Sequence, residues 1–293
     1  MPSNILGTDG ADFASSTAGS STMSSLVPRR LLPEVINAVR KKLVLRGLAA
    51  RVFGPGAIPG RTLVVPMQSE LTANNSMRVS QVSEAGEIPL TQSAFENLTF
   101  TPVKYGARVA VTRELQEDAM LDVAAYHAEL AGYEFADNTE SLIVSALDTA
   151  SSGASHDVAN SNATLTLTDI TEAMQNLEAD NYEPTHMVIG VAVANDIRLI
   201  DSFNEADKTG TTSAVTHRLI GTIYGMKVIV SNNVSSVLAY VIDARHAFAI
   251  AEKRPITIER YSDYARDTGY VVVTQRIAVN AWRNNAVSEI TTT

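Results

Sequence analysis

The feature that most constrains the fold is a proline-free stretch, from Leu121 to Leu147, that predicts one very long helix. Apolar residues recur along one of its faces at helical spacing, Ala128 and Phe135 among them. A helix of that length spans roughly 40 Å at the usual rise, which is long for a globular domain. Residues 112–118 precede it, either as its start or as a separate first turn. Because many of its buried positions would be Ala, we expect it to pack closely on its neighbours.

An alternating stretch near the C-terminus predicts a strand of matching length. Thirteen residues, 270–282, form it, which is more than twice the usual strand length. Residues 256–261 also alternate and predict a further strand. Helix and hairpin together indicate an elongated design and not a compact pocket. The odd positions of the long strand are apolar apart from Gln275, as in Val271, Val273, Ile277, Val279 and Ala281.

Shorter elements of both kinds complete the chain, so the predicted fold class is α+β. In order, they are a helix over 33–46 with Gly47 as its C-cap, strands over 62–67 and 98–112, a loop over 149–163, a helix over 169–178 with Thr168 as its N-cap and Glu172 close to a capping box, a strand over 186–191, a helix over 192–200, a loop over 203–216, and strands over 226–230 and 239–243.

Two polar segments lack the periodicity of a packed element. Residues 1–26 are rich in Ser, Ala, Gly and Thr, and they form either a disordered tail or an arm that orders on a neighbouring subunit. Residues 68–94 form a long polar loop, and such loops are usually disordered or functional. Short alternation over 77–82 permits an extended two-stranded finger. Because a loop over 68–96 has few apolar contacts of its own, we expect it to be mobile in isolated subunits and ordered in an assembly.

Composition and charge exclude several classes of function. The chain has no Cys, which excludes thiolate chemistry and a Cys-ligated zinc. Its formal net charge of −9 is opposite to that of proteins that coat nucleic acid non-specifically. No stretch approaches the ~18 apolar residues that a membrane-spanning helix needs. The first 28 residues contain no basic residue and no apolar core of a secretory signal.

No pattern predicts a catalytic, cofactor or metal site, so we expect a protein that is not an enzyme. No two histidines have the spacing of helical zinc ligands, and these are His127, His156, His186, His217 and His246. Acidic residues at the start of the long helix could bind a metal, although the helix dipole explains them more simply; they are Glu114, Glu117, Asp118 and Asp122. Further along, a solvated or subunit-facing stripe is predicted at Glu134, Asp137 and Glu140.

No single motif identifies a family, but several segments taken together resemble those of one family. They are Leu26–Pro28 before the first helix, Thr62–Met67 followed by Glu84–Pro89 in the long loop, Val111–Asp118 at the entry to the long helix, Leu219–Ser231 ahead of the final sheet, and Arg276 in the last strand. In this order and spacing they resemble the major capsid proteins of tailed bacteriophages, which have the Hong Kong 97-like fold. The resemblance covers about residues 26–290.

The resemblance implies a division of labour along the chain. It implies an N-terminal arm over 1–32, a first helix and strand over 33–67, an extended loop over 68–97, a peripheral domain with the spine helix and the β-hairpin over 98–151 and 251–293, and an α+β axial domain over 152–250. Loop and arm would reach over a neighbouring subunit.

The resemblance also implies a structural function, with neither cofactor nor membrane. The chain would be made in the host cytoplasm, would assemble with itself as pentamers and hexamers, and would reside in the virion as an icosahedral head that encloses double-stranded DNA. Portal and scaffolding proteins, and in some phages a decoration protein, would be partners. DNA would be contacted non-specifically on the inner face, where Arg40, Lys41, Lys42 and Arg46 could face it or only complement the helix dipole.

Two departures from the family carry predictions. Some members join subunits by an isopeptide bond between a loop lysine and an asparagine, but no lysine lies between Lys42 and Lys104 here. We therefore predict a shell held together without covalent links. Some members begin with a long, charged scaffolding segment, whereas a short Ser-rich arm precedes the first helix here. That implies a separate scaffolding protein or none.

Two other functions stay open on the sequence. An encapsulin-like nanocompartment shares the fold but packages an enzyme, and the Ser-rich arm and long polar loop favour a phage shell over it. A soluble α+β enzyme, with a site assembled in space, would be a monomer or small oligomer with a deep pocket. Cargo distinguishes the first from a phage head, and particle size distinguishes the second from both.

Overall fold

The computed structural model describes residues 43–69, 79, 81–88, 94–119, 122–160, 164–200 and 221–292. All of these except Ala119 belong to one unit, formed by residues 40–118 and 122–293. Its elements in chain order are β1 (Arg51–Phe53), β2 (Leu63–Gln68), β3 (Phe95–Phe100), β4 (Val103–Thr112), α1 (Arg113–Asp118), α2 (Val123–Ala154), β5 (Asp157–Asn160), α3 (Leu167–Ala179), β6 (His186–Ile189), α4 (Val191–Leu199), β7 (Thr222–Ile223), β8 (Met226–Val230), β9 (Leu238–Ile242), β10 (Phe248–Asp263), β11 (Thr268–Ala281) and β12 (Val287–Thr292).

The predicted long helix is confirmed as α2, which has 32 residues. Asp122 caps its N-terminus, where the carboxylate accepts the N–H of Ala125 at 3.0 Å. The separate first turn is confirmed as α1. Ala128, Ala131 and Phe135 of α2 pack on Val271 and Val273, so the small residues bring helix and sheet close together, as expected.

A four-stranded sheet, in the order β1-β10-β11-β4, lies against α2. The predicted strand over 270–282 is confirmed as β11, and β10 pairs with it as a long antiparallel hairpin that begins earlier than predicted, at Phe248. Because side chains alternate between the two faces of a strand, Val271, Val273 and Ile277 all point into the core.

A six-stranded mixed sheet, in the order β5-β12-β9-β6-β8-β7, forms the second core together with α3 and α4. Its central strands are buried, and Val188, Tyr240 and Ile242 have no exposed surface. β12 lies between β5, to which it is parallel, and β9, to which it is antiparallel. The predicted strands at 186–191, 226–230 and 239–243 and the helix at 192–200 are confirmed to within a few residues as β6, β8, β9 and α4.

A third, two-stranded sheet consists of β2 and β3. β2 confirms the strand predicted at 62–67 to within one residue. The single strand predicted over 98–112 is wrong, because β3 ends at Phe100 and β4 starts at Val103. Pro102 lies at the break, and its lack of an N–H group is unsuited to a continuous ladder. The two strands therefore join different sheets.

The predicted loop over 149–163 is also wrong for most of its length. α2 continues to Ala154, Ser155 adopts a left-handed conformation with φ 58°, and β5 follows. The cause is burial: Ser151 is fully buried, and its hydroxyl donates to Asp157 Oδ1 at 2.8 Å and accepts the N–H of Glu289 at 2.8 Å. Residues 161–163 lie outside the described part.

Two predicted helix ends need correction. Thr166, and not Thr168, caps α3, since its hydroxyl accepts the N–H of Asp169 while Asp169 Oδ2 accepts the N–H of Thr166 at 2.8 Å. The end predicted for the first helix, with Gly47 as its cap, is wrong as well. Leu45–Leu48 is a separate 3-10 helix, fixed by the burial of Leu45. Residues 33–42 of that helix and the loop over 203–216 lie outside the described residues.

Candidate assembly surfaces

Within the long loop, Val79 and residues 81–88 are exposed, whereas Ser69 and Ala94 near its two ends are half-buried. Val79 is 100% exposed and Ile88 is 80% exposed. A turn shapes the segment, in which the N–H of Gly86 donates to the carbonyl of Ser83 at 2.9 Å and Ala85 has φ 61°. Covering these apolar side chains by another molecule would remove them from water, which is favourable. Half of the finger proposed over 77–82 lies outside the described residues, and Val79, Gln81 and Val82 are not part of a strand.

The root of this loop is fixed to the body of the subunit. Arg283 Nη1 lies 3.2 Å from Glu96 Oε1, and Asn280 Nδ2 donates to the carbonyl of Thr99 at 2.8 Å. Inside, Phe100 of β3 packs with Ala249 and Ala251 of β10. The end of the loop that leads into β3 is therefore held in place by polar and apolar contacts with the sheet.

The four-stranded sheet presents an open aromatic face opposite α2. The rings of Tyr261 and Tyr270 stack with centroids 4.9 Å apart. The guanidinium of Arg108 lies 5.0 Å from the centroid of Tyr270, and its Nη1 donates to the hydroxyl of Tyr261 at 3.3 Å. Tyr264, in the hairpin turn, is 85% exposed. Exposed Tyr and Arg side chains are the residue types most enriched in protein interfaces.

A buried carboxylate, that of Glu140, holds the backbone where the described part of the chain begins. The prediction of a solvated or subunit-facing acidic stripe is therefore wrong for this residue. Glu140 is buried and accepts the N–H of Leu45 at 2.6 Å. Burial raises the pKa of Glu140, and the backbone N–H groups it accepts oppose that rise. Asp137 accepts a hydrogen bond from Asn233 Nδ2 at 2.8 Å, so only Glu134 of the three is an exposed residue.

A cluster of carboxylates, which the sequence did not reveal, forms where α2, β5 and β12 meet. We name Asp148, Asp157 and Glu289 the acidic socket; side-chain hydrogen bonds link the Glu289 carboxyl to the Asp148 carboxyl and to the Tyr240 hydroxyl. Asp148 and Asp157 are exposed, whereas Glu289 is buried. Burial, with the Asp148 carboxylate next in importance, raises the pKa of Glu289 to about 7. The three acids come from distant segments, so no spacing in the sequence could have brought them together.

The described histidines and the acids of α1 and of the α2 cap have separate local surroundings. No group of three His, Asp or Glu side chains among the described residues could hold a metal ion. Asp122 serves as a helix cap, and His217 lies outside the described part. The other histidines have separate local partners: His127 contacts the ring of Tyr126, His156 the carbonyl of Val287 and Asp180, His186 the hydroxyl of Thr185, and His246 the carboxylate of Asp243.

Two of the small clefts that described residues line gather no nucleophile together with a base. One, of about 200 Å³, lies beside Trp282, where its charged groups Glu96 and Arg283 are already paired. The other, of about 150 Å³, lies between β4 and α2 at Tyr105 and Phe135. In the described part of the chain, no helix combines the length and the apolarity needed to cross a membrane.

Comparisons with known proteins agree with this architecture. A model of the phage capsid family matches residues 24–291. A structure from the cyanophage P-SCSP1u capsid is similar with a TM-score of 0.76 at 13% identity, covering 98% of this chain and 99% of that one. A Mycobacterium phage Che8 structure gives 0.73 at 14% identity, covering 90% and 96%. The capsid of a native gene transfer agent particle gives 0.71 at 14% identity, covering 95% and 99%. No curated protein matches the sequence.

Proposed function

Because the chain belongs to the phage capsid family and has the Hong Kong 97-like fold of major capsid proteins, we propose that it assembles as pentamers and hexamers into an icosahedral head that encloses double-stranded DNA. It is a viral capsid protein, a structural class whose members are not enzymes. The family match over residues 24–291 is the observation that carries the proposal. One set of subunit surfaces would serve every ring, as in any closed heterologous assembly.

The surfaces of the subunit support self-assembly. The loop segment 81–88 and Val79 expose apolar side chains, and the open sheet face presents stacked Tyr261 and Tyr270. We propose that the loop reaches over a neighbouring subunit, which would remove these apolar groups from water at roughly 25 cal/mol per Å².

We propose that the two larger sheets correspond to the two domains of the shell subunit. The four-stranded sheet with α2 would be the peripheral domain, over 98–151 and 251–293, although β12 at the end of this range pairs within the six-stranded sheet. The six-stranded sheet with α3 and α4 would be the axial domain, over 152–250, around the five-fold and six-fold axes. Val287–Thr292 pairs with Leu238–Ile242 and so connects the C-terminal segment to the axial sheet.

Portal and scaffolding proteins are proposed as further partners, with a decoration protein as an addition in some shells. Packaged DNA would touch the inner face without sequence preference. The net charge of −9 supports weak DNA contact, because strong binding to phosphates depends on an excess of Lys and Arg.

Particle size and cargo test the proposal. The chain is produced with its phage scaffolding and portal partners and is examined by size-exclusion chromatography and negative-stain microscopy. We expect icosahedral particles of hundreds of ångströms, with DNA inside heads from infected cells. A 31.4 kDa monomer under all conditions would contradict self-assembly. Particles that contain a co-purifying enzyme and no DNA would indicate an encapsulin-like compartment.

A further inference from the structure

Three basic side chains form a row across the four-stranded sheet, on the face opposite α2. Arg276 of β11 lies directly opposite Arg254 of β10 on one side and Lys104 of β4 on the other. Residues directly opposite each other on neighbouring strands project to the same face. Gln275 and Ile277, on either side of Arg276, are buried towards α2, so the three basic side chains project away from it. We call Lys104, Arg254 and Arg276 the basic row.

The basic row has no acidic counterpart in its own subunit, since no ion pair joins it to a carboxylate of the described residues. Two of its members are exposed, and Arg276 is half-buried, with its Nη2 donating to the carbonyl of Pro102 at 3.4 Å. Glu259 is on the same sheet face, but the Thr257–Thr274 pair separates it from the row. Like charges directly opposite each other destabilise a sheet, so an arriving anion is favourable here.

Two exposed carboxylates on the long loop also lack a cation. Glu84 lies within the turn that the hydrogen bond from Gly86 to Ser83 closes, and Glu87 follows that turn. Across the described part of the chain, no basic side chain forms an ion pair with either glutamate. Ile88, next to them, is 80% exposed, so covering this segment would bury apolar surface as well. We call residues 83–88 the acidic turn.

We propose that the acidic turn of one subunit docks on the basic row of a second copy in the assembled shell, an inference that rests on the proposed function and names the surface that the loop covers. Carboxylates form charge-assisted hydrogen bonds with Arg and Lys, and complementary charged patches select a partner and its orientation. Packaged DNA is a poorer occupant of the basic row, because the net charge of −9 opposes the binding of phosphates.

Charge reversal tests the contact from both sides. The variant E84K/E87K reverses the acidic turn, and K104E/R254E reverses the two exposed members of the basic row. Each variant should fold normally by circular dichroism but should need a roughly ten-fold higher protein concentration for half-maximal assembly, measured by light scattering, because attraction becomes repulsion. Since both turn residues are exposed on a loop, E84K/E87K decides the question even where the row variant folds poorly.

A mixture of the two variants distinguishes contacts between copies from contacts within one chain. A reversed turn can meet a reversed row only on another subunit, so an equimolar mixture should assemble at a clearly lower concentration than either variant alone. The variant E114K/E117K reverses two exposed acids of α1 and is the matched control. It should assemble as the wild type does.

The outcomes separate this proposal from the proposed function. Assembly of E84K/E87K at the wild-type concentration would overturn the docking and leave the capsid function intact. A defect in both variants without rescue in the mixture would overturn a contact between copies. Binding of a duplex oligonucleotide by wild-type subunits, lost in K104E/R254E while E84K/E87K assembles normally, would assign the basic row to DNA instead. Failure of the wild type to form particles under all conditions would overturn both proposals.

Discussion

At the scale of single residues, polar groups buried at the joints between elements distinguish this subunit. Glu140 ties the backbone at Leu45 to α2, and Gln275 Nε2 donates to Glu252 Oε1 at 3.1 Å between β11 and β10. Glu252 also pairs with Arg46 at 2.8 Å. Buried polar groups of this kind are costly if one partner is lost, so their positions are constrained more tightly than those of surface charges.

The raised pKa of Glu289 predicts a pH dependence of subunit stability. In the unfolded chain Glu289 should titrate near its ordinary value of 4.5, and in the folded chain near about 7. The folded state therefore keeps this proton more tightly. Its stabilising effect is full below pH 4.5 and is lost as pH rises through 7, by roughly 1.4 kcal/mol per pH unit within that window.

Urea unfolding of isolated subunits between pH 5 and 8 measures this effect. The free energy of unfolding of the wild type should fall over this range, whereas that of E289Q should fall less. The stability of E289Q relative to the wild type should therefore rise with pH. E172Q, on the exposed face of α3, provides the control and should follow the wild-type curve. A difference between E289Q and wild type that is constant over pH would show that Glu289 does not titrate in this range.

At the scale of elements, short-range periodicity determined what could be predicted. α2 and β11 were predictable because each carries its own pattern over many residues. β1, β5 and β12 were missed: β1 and β5 have three and four residues, and they exist through pairing with strands far away in the chain. The acidic socket was unpredictable for the same reason, since it forms only after β5 and β12 pair.

The corrected cap of α3 gives a direct test at this scale. Thr166→Ala removes the hydroxyl that accepts the N–H of Asp169 and should lower the free energy of unfolding by about 1 kcal/mol. Thr168→Ala, two residues further, changes an exposed helical position and should alter stability by less than about 0.5 kcal/mol. Thermal or urea denaturation compares the two. Equal losses would argue against Thr166 as the cap.

The exposed loop segment gives a second test at the scale of elements. Amide protons of residues 81–88 should exchange rapidly in isolated subunits, because the segment has few contacts of its own, and slowly in shells, where a neighbour would cover it. Hydrogen exchange with mass spectrometry on both forms measures this. The buried strand His186–Ile189 is the internal standard and should be protected in both. Equal protection of the loop in the two forms would contradict its role in subunit contacts.

At the scale of the whole molecule, the described part of the chain crosses repeatedly between its two larger sheets. It leaves the four-stranded sheet after β4, builds most of the six-stranded sheet, returns with β10 and β11, and ends in the six-stranded sheet with β12. The four-stranded sheet thus contains strands that precede β5–β9 in the sequence and strands that follow them. The six-stranded sheet likewise contains strands that precede β10 and β11 and one strand, β12, that follows them. The two proposed domains are therefore not independent segments of chain.

The assembled shell is predicted to contain no covalent links between subunits. The stretch between Lys42 and Lys104 has no lysine, so the loop offers no amine for an isopeptide bond. Denaturing electrophoresis and intact mass spectrometry of purified shells should give a single species near 31.4 kDa. A ladder of multiples of that mass would refute the prediction. Shells treated with an added amine-reactive crosslinker provide the positive control for detecting such a ladder.

The insertion of β12 between β5 and β9 has a kinetic consequence. Ile290 lies between Val158 and Ala239, so the strand must find two partners that are remote in the chain. Closing such long loops slows folding, because the entropy is lost before the pairing compensates for it. Before β12 pairs, β5 and β9 each have an edge whose backbone N–H and C=O groups lack a partner strand. A strand from another molecule could pair with such an edge. Substitutions in 287–292 should therefore lower the yield of correctly folded subunits during synthesis more than they destabilise subunits that have already folded.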